Sequence, residues 1–179
     1  MAKKSVQLSG VSVAETALSS IDAEQGVLMY RGYDIADLAE HATYEEVAYL
    51  LLEGELPDAA QLEAFREELA DRELSRAVRA LIDGNARDAS PMQMLRTAVS
   101  LHSFADPAEA AVDRENERRK AVALTAQLPT MVARHHRLRQ GLEPVDPDAS
   151  LSYAENFLFM LHGEVPTEQH ARIFDVAMI

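Results

Sequence analysis

The chain has 179 residues, 47% of them hydrophobic, with no cysteine and no tryptophan; 17 Lys+Arg face 30 Asp+Glu, for a formal net charge of −13. The absence of cysteine excludes disulfide frameworks, thiolate nucleophiles and cysteine-bound zinc. An acidic surface repels phosphate backbones and argues against a nucleic-acid partner. No apolar run approaches the ~20 residues that span a bilayer, and the N-terminal residues lack the apolar core of a secretory signal. The expectation is a cytoplasmic chain with enough apolar residues for one domain, or for one plus part of another. Only Lys3, Lys4 and Lys120 are lysines; the other 14 basic residues are arginines. Abundant carboxylates with little lysine suit a surface that stays hydrated in high salt, and a GC-rich genome favours the same bias.

Taken in chain order, the first segment reads as extended. Val11, Val13, Thr16 and Leu18 lie among polar residues, and Val27-Leu28-Met29-Tyr30 follows the turn-like Asp22–Gly26. This pattern predicts a small hairpin over about 11–33, with Gly26 taking a positive φ. Everything from about residue 35 onward reads as helix, so the fold class is all-α with a small N-terminal β-hairpin.

Asp34 caps a short helix over 35–40. Thr43 with Glu46 forms a capping box for Tyr44–Glu53, and Gly54 stops that helix. Pro57 is predicted at the first helical position of the next helix, whose stripe is Leu62, Phe65 and Leu69. Leu74, Val78, Leu81 and Ile82 mark another helix, stopping near Gly84-Asn85. Ser90-Pro91-Met92-Gln93 starts the one that presents Met94, Leu95, Ala98, Val99 and Leu101, and Asp106-Pro107 closes it. A long helix from about Asp113 to Gln140 contains Pro129, which deletes one hydrogen bond and predicts a kink. Gly141 ends it, Glu143–Ser150 is a loop, and a Ser152/Glu155 capping box opens Tyr153–His162, which stops at Gly163.

Two segments echo each other at an offset of 109 residues: Leu50–Pro57 and Phe159–Pro166 both read helix, Gly, Glu, aliphatic, Pro. Either two helix junctions use the same chemistry or the chain carries a true repeat. After Thr167 a last helix ends on Val176, Ala177, Met178 and Ile179. So apolar an end predicts that the polypeptide normally continues.

The residues offer little chemistry of their own. His135 and His136 are adjacent and so point about 100° apart on a helix. His162 and His170 flank a turn, and no zinc-binding spacing occurs, so the reading is partly exposed helix histidines and no metal site. Nucleophile elbows and phosphate-cradling glycine loops are absent. Arg134, Arg137 and Arg139 form a basic run that suits either an anionic ligand or the negative end of the helix dipole.

Three ordered segments resemble the citrate synthase family. They are Val13–Ser19 through Gly26 to Tyr30-Arg31-Gly32-Tyr33-Asp34 and on to Ala39; Tyr44–Leu51 with Gly54-Glu55-Leu56-Pro57; and Pro91-Met92-Gln93-Met94-Leu95-Arg96-Thr97-Ala98-Val99-Ser100. The likeness is to the smaller prokaryotic type, 2-methylcitrate synthases included. Ser90 departs from the family's usual His before Pro-Met, and serine is the better helix cap.

The resemblance implies residues 1–179 as the N-terminal part of the helical large domain, with the catalytic segment and small domain absent. It implies an acyltransferase condensing acetyl-CoA with oxaloacetate in the tricarboxylic acid cycle, without a metal or prosthetic group, acetyl-CoA being a co-substrate. It implies enolisation of the thioester by a carboxylate, histidines donating to the enol and carbonyl oxygens, and arginines on the carboxylates. None of those catalytic residues has a matching position in this chain. It further implies a homodimer through helices at about 91–105 and 120–139, and a CoA vicinity at Arg134, His135 and Arg137, His135 standing where relatives carry Arg. Three readings follow: a segment active only within a longer synthase, a short paralogue acting as a dimerisation module, or an unrelated helical protein.

Overall fold

The computed structural model describes residues 14–105 and 112–179. Three strands lead the described chain: β1 (Ser19–Asp22), β2 (Val27–Tyr30) and β3 (Tyr33–Asp34), paired antiparallel in that order. The expected hairpin is therefore a three-stranded meander starting at Ser19; Val11 and Val13 lie outside the described residues. Ser19 pairs with Tyr30 and Asp22 with Val27. The Asp22 carboxylate closes the first turn by accepting from the N–H groups of Glu24 and Gln25, and Gly26 takes φ +70°. The third strand comes from a turn the pattern did not announce. Arg31 (φ +48°) and Gly32 (φ +92°) are both left-handed, as a two-residue reversal between Tyr30 and Tyr33 requires. The Arg31 guanidinium then donates to the Leu51 carbonyl at 3.1 Å, fixing the sheet to the helices.

Eight α-helices follow among the described residues: α1 (Ile35–His41), α2 (Tyr44–Glu53), α3 (Ala59–Leu69), α4 (Arg76–Asn85), α5 (Pro91–His102), α6 (Arg114–Arg139), α7 (Tyr153–His162) and α8 (Glu168–Met178). Every start carries a side-chain cap, and Thr43/Glu46, Asp58/Gln61, Ser90/Gln93 and Ser152/Glu155 are full capping boxes. Pro57 is not at the first helical position: Asp58 is the stronger cap, so α3 begins two residues later. Leu74 precedes α4, which Ser75 caps. Gly84 lies inside α4, and the Asn85 amide turns back to the Leu81 carbonyl. Asp106-Pro107 falls outside the described residues; α5 ends at His102 and passes into a 3-10 turn, Ser103–Ala105. At the end of α6, Leu142 N–H donates to the Arg137 carbonyl and Gly141 N–H to that of Leu138, with Gly141 at φ +77°. This is a complete Schellman motif.

The central element is α6, which packs on α3, α4, α5 and α7. On one side Val122 and Ala126 meet Phe65, Leu69 and Tyr153; on the other Met131 meets Val78, Ile82, Met94 and Ala98. A third cluster joins Leu38, Val47 and Leu50 to Tyr30 and Ile179. The apolar C-terminal residues are thus largely packed: Met178 and Ile179 lie on these clusters and Phe174 stacks on Phe157 at 5.1 Å, whereas Ile173 stays 61% exposed.

Pro129 lies within α6, which continues through it. Its missing N–H orphans the carbonyl four residues back, that of Thr125. The Tyr153 hydroxyl donates to that carbonyl at 2.7 Å, so the vacancy in the ladder becomes a tie between α6 and α7. Asp175 and Arg172 of α8 make a second tie. Asp175 accepts from Tyr44 N–H at the start of α2, while Arg172 donates to the carbonyls of Ala39, Glu40 and Ala42 at the end of α1.

The 109-residue echo extends well past its octapeptide. The starts of α2 and α7, their capping boxes, the left-handed Gly54 (φ +103°) and Gly163 (φ +87°), and the starts of α3 and α8 all keep that offset. Between 43–69 and 152–178, Tyr44/Tyr153, Glu46/Glu155, Leu52/Leu161, Gly54/Gly163, Glu55/Glu164, Pro57/Pro166 and Phe65/Phe174 are identical pairs. Tyr44 and its counterpart Tyr153 stack on each other at 4.6 Å.

Candidate functional site

The ring stack sits in the most polar part of the interior. Glu45, 4% exposed, accepts from Tyr153 N–H at the start of α7. Arg72, 6% exposed, donates to the carbonyls of Leu69 and Leu151, and its guanidinium lies 6.0 Å from the Tyr153 ring centroid. Burial raises the pKa values of both Tyr44 and Tyr153 above the ordinary phenol range, so both hydroxyls stay neutral, and that of Tyr153 donates to the Thr125 carbonyl. Burial pulls Arg72 down from its usual value, against the opposing pull of Glu45. These groups cap helix ends, and the arrangement is one of support.

The second cluster lies at the C-terminal end of α6. Arg134 grips Asp83 of α4 bidentately, Nε to Oδ1 at 2.7 Å and Nη2 to Oδ2 at 2.8 Å, and that bonding raises its pKa. His135 turns the other way and is buried, 5% exposed, correcting the expectation of a partly exposed ring; its Nε2 has no partner. With Met92, Met94, Leu95 and Val132 it lines a pocket of about 240 Å³. His136 is exposed, as adjacent helix positions require. Arg137 reaches the Glu143 carbonyl at 2.6 Å and the Leu161 carbonyl in the last turn of α7 at 3.2 Å. The structure thus holds the three residues on one helix end but aims them at three neighbours: α4, α5, and the loop with α7. Two of the five guanidinium donors of Arg134 are committed to Asp83.

The third feature is an open groove of about 900 Å³ along α5 and α6, lined by Ser100, His102, Ala121, Ala123, Leu124 and Gln127 among others. Small residues let a further helix approach closely. Gln127 Oε1 and His102 Nδ1 are buried there without partners. Among the described residues, no group of three His, Asp or Glu side chains is placed to hold a metal ion, and no helix is long and apolar enough to cross a membrane.

Sequence reading missed Glu45, Arg72 and Asp175. Each bonds backbone groups far away in sequence or at an unmarked helix end, so no local spacing betrays it.

Comparison with known proteins fits this frame. The family described as citrate synthase, C-terminal domain, matches residues 7–179. The citrate synthase of Haloferax volcanii is 48% identical over 177 residues, covering 96% of this chain and 47% of that protein. The 2-methylcitrate synthase of Mycobacterium tuberculosis is 41% identical over 173 residues, covering 96% and 44%. In structure, the citrate synthase of Pyrobaculum aerophilum superposes with a TM-score of 0.89 at 38% identity, covering 95% of this chain and 45% of that one. The chain belongs to the citrate synthase family. It spans about half the length of the curated relatives it matches, and the mainly helical fold with its small antiparallel sheet is the fold of the solved relatives.

Proposed function

We propose that this chain is the scaffold-forming, N-terminal part of a citrate synthase, an acyltransferase of the cytoplasm that condenses acetyl-CoA with oxaloacetate to citrate and CoA. The observation that carries the reading is the 48% identity to a citrate synthase over 96% of the chain. In this proposal the proton-moving carboxylate and histidines and the carboxylate-binding arginines lie outside these 179 residues. The chain supplies the helical frame and, through 91–105 and 120–139, the contact surface of a homodimer; the open groove along α5 and α6, where Ser100, Ala121 and Ala123 stand among charged and polar side chains, supports that assignment. No metal or prosthetic group enters the reaction. Arg134, His135 and Arg137 stand in the vicinity of CoA, the two guanidinium groups drawing its phosphates.

The test is the release of CoA from acetyl-CoA and oxaloacetate. The 179-residue chain alone is expected to give no turnover, and a family-length polypeptide containing it to give citrate. Turnover by the chain alone would relocate the chemistry; none from the longer polypeptide would remove the activity. In the longer polypeptide, Arg134→Ala and Arg137→Ala raise the apparent KM for acetyl-CoA. Asp83→Asn, which loosens the ion pair and keeps the arginine, serves as the structural control. An unchanged KM discards the CoA role.

The 41% identity to a 2-methylcitrate synthase favours one alternative, propionyl-CoA as the acyl donor. The ratio of kcat/KM for acetyl-CoA and propionyl-CoA decides between them.

A further inference from the structure

Three of the seven methionines meet at one place in the fold. Met92 and Met94 of α5 and Met131 of α6 line the pocket of about 240 Å³ that His135 also lines. Met131 and His135 are four residues apart on α6 and so share one face, and Met94 belongs with Met131 to one core cluster. Met94, Met131 and His135 are 3%, 2% and 5% exposed, while Met92 is open to solvent at 71%. The imidazole Nε2 is buried without a hydrogen-bond partner. Leaving a buried nitrogen unbonded is costly, so its presence calls for a ligand. Water is a poor one: it needs two to four polar partners, and the walls of this pocket are mainly apolar.

We infer that this pocket binds a soft monovalent cation, Cu(I), held by the thioethers of Met92, Met94 and Met131 and by Nε2 of His135. The donor set decides the ion. Thioether and imidazole are neutral ligands that suit Cu(I). Among the described residues no carboxylate lines the pocket, and the chain has no cysteine, so nothing there offsets a double charge. Nor does it offer the oxygen cage that Ca²⁺ and Mg²⁺ take. Arg139, on the same lining, is a fixed positive charge that weighs further against a divalent ion; its Nη1 is held by the Ala89 carbonyl at 3.0 Å. Methionine has three rotatable bonds, which let the sulfurs adjust to a common centre. An ion so held ties the first turn of α5 to the C-terminal half of α6. The inference does not depend on the function proposed above.

The probe is Ag(I), a redox-inert stand-in for Cu(I), titrated into the 179-residue chain carrying ¹³C at its methionine methyls. One equivalent is expected to saturate the shifts of Met92, Met94 and Met131 and to leave Met29, Met160 and Met178 in place. Calorimetry with Ag(I), and with Cu(I) under anaerobic reducing conditions, is expected to give a single site. Met131→Leu and His135→Leu should each weaken it by about tenfold or more. Met160→Leu, equally buried but on α7, should leave the affinity unchanged. Leucine conserves the volume of methionine well enough for Met131→Leu to fold, and the methyl shifts of the unaltered chain need no variant at all. Shifts spread evenly over the methionines, titration without saturation, or an affinity that Met131→Leu leaves unchanged would each overturn the site. Zn²⁺ moving the same three methyls while Ag(I) does not would overturn the choice of ion.

Discussion

Tyr153→Phe deletes one oxygen atom and tests how α6 tolerates a proline in its interior. The Tyr153 hydroxyl is the partner that answers the Thr125 carbonyl orphaned by Pro129, and Tyr153 is only 5% exposed, so water is poorly placed to replace it. An unsatisfied buried carbonyl costs about 1–3 kcal/mol. For a chain of this size each kcal/mol lowers Tm by roughly 2–4 °C. The measurement is urea unfolding followed by far-ultraviolet circular dichroism, with the m-value held constant as the sign that only stability has changed. Coupling makes the test specific. Pro129→Ala returns an N–H to the Thr125 carbonyl, so Tyr153→Phe in that background should cost no more than the roughly 0.5–1.5 kcal/mol of an ordinary hydrogen bond. Equal costs in the two backgrounds would refute the claim that Tyr153 compensates for the proline.

Three further outcomes are expected. Asp175→Ala leaves the Tyr44 N–H at the start of α2 without its acceptor and should cost about 1–2 kcal/mol, read as a lower urea midpoint at unchanged m. Gly54 and Gly163 both hold left-handed backbone, so alanine at either costs about 1–2 kcal/mol. Gly163→Ala should cost more, because its Cβ would meet an Arg137 guanidinium nitrogen at 3.0 Å whereas Gly54 has only a 4.0 Å neighbour; equal Tm losses would contradict this. Because Tyr44 and Tyr153 have raised pKa values in the folded chain, the unfolded chain releases their protons first. Their contribution is intact below the ordinary tyrosine pKa of about 10 and is lost as pH rises above it. Melting curves between pH 8 and 11 should show that decline, and Tyr153→Phe should flatten it.

The helices were legible because their punctuation is local. A capping box needs a hydroxyl and a carboxyl or amide three residues apart, and Thr43/Glu46, Ser90/Gln93 and Ser152/Glu155 satisfy that within one turn of chain. The misreadings share a cause. Pro57 was given a start that Asp58 takes, since two adjacent residues competed for one helix end. The third strand escaped because Arg31 is not a residue whose type announces positive φ. His135 looked solvent-facing because helix spacing gives the angle between neighbours and not which of them faces α5. The candidate site was barely legible at all: Glu45 to Tyr153 and Asp175 to Tyr44 join residues more than 100 positions apart. The resemblance to citrate synthases supplied the family, which pattern alone did not.

The grip of Arg172 on the end of α1 has a consequence for how the chain comes into being. The carbonyls of Ala39, Glu40 and Ala42 emerge from the ribosome 130 or more residues before the guanidinium that will receive them. At typical elongation rates that gap lasts on the order of ten seconds. Throughout it, α1 and the start of α2 depend on water for these partners, so closure of the N-terminal corner is a late event of synthesis.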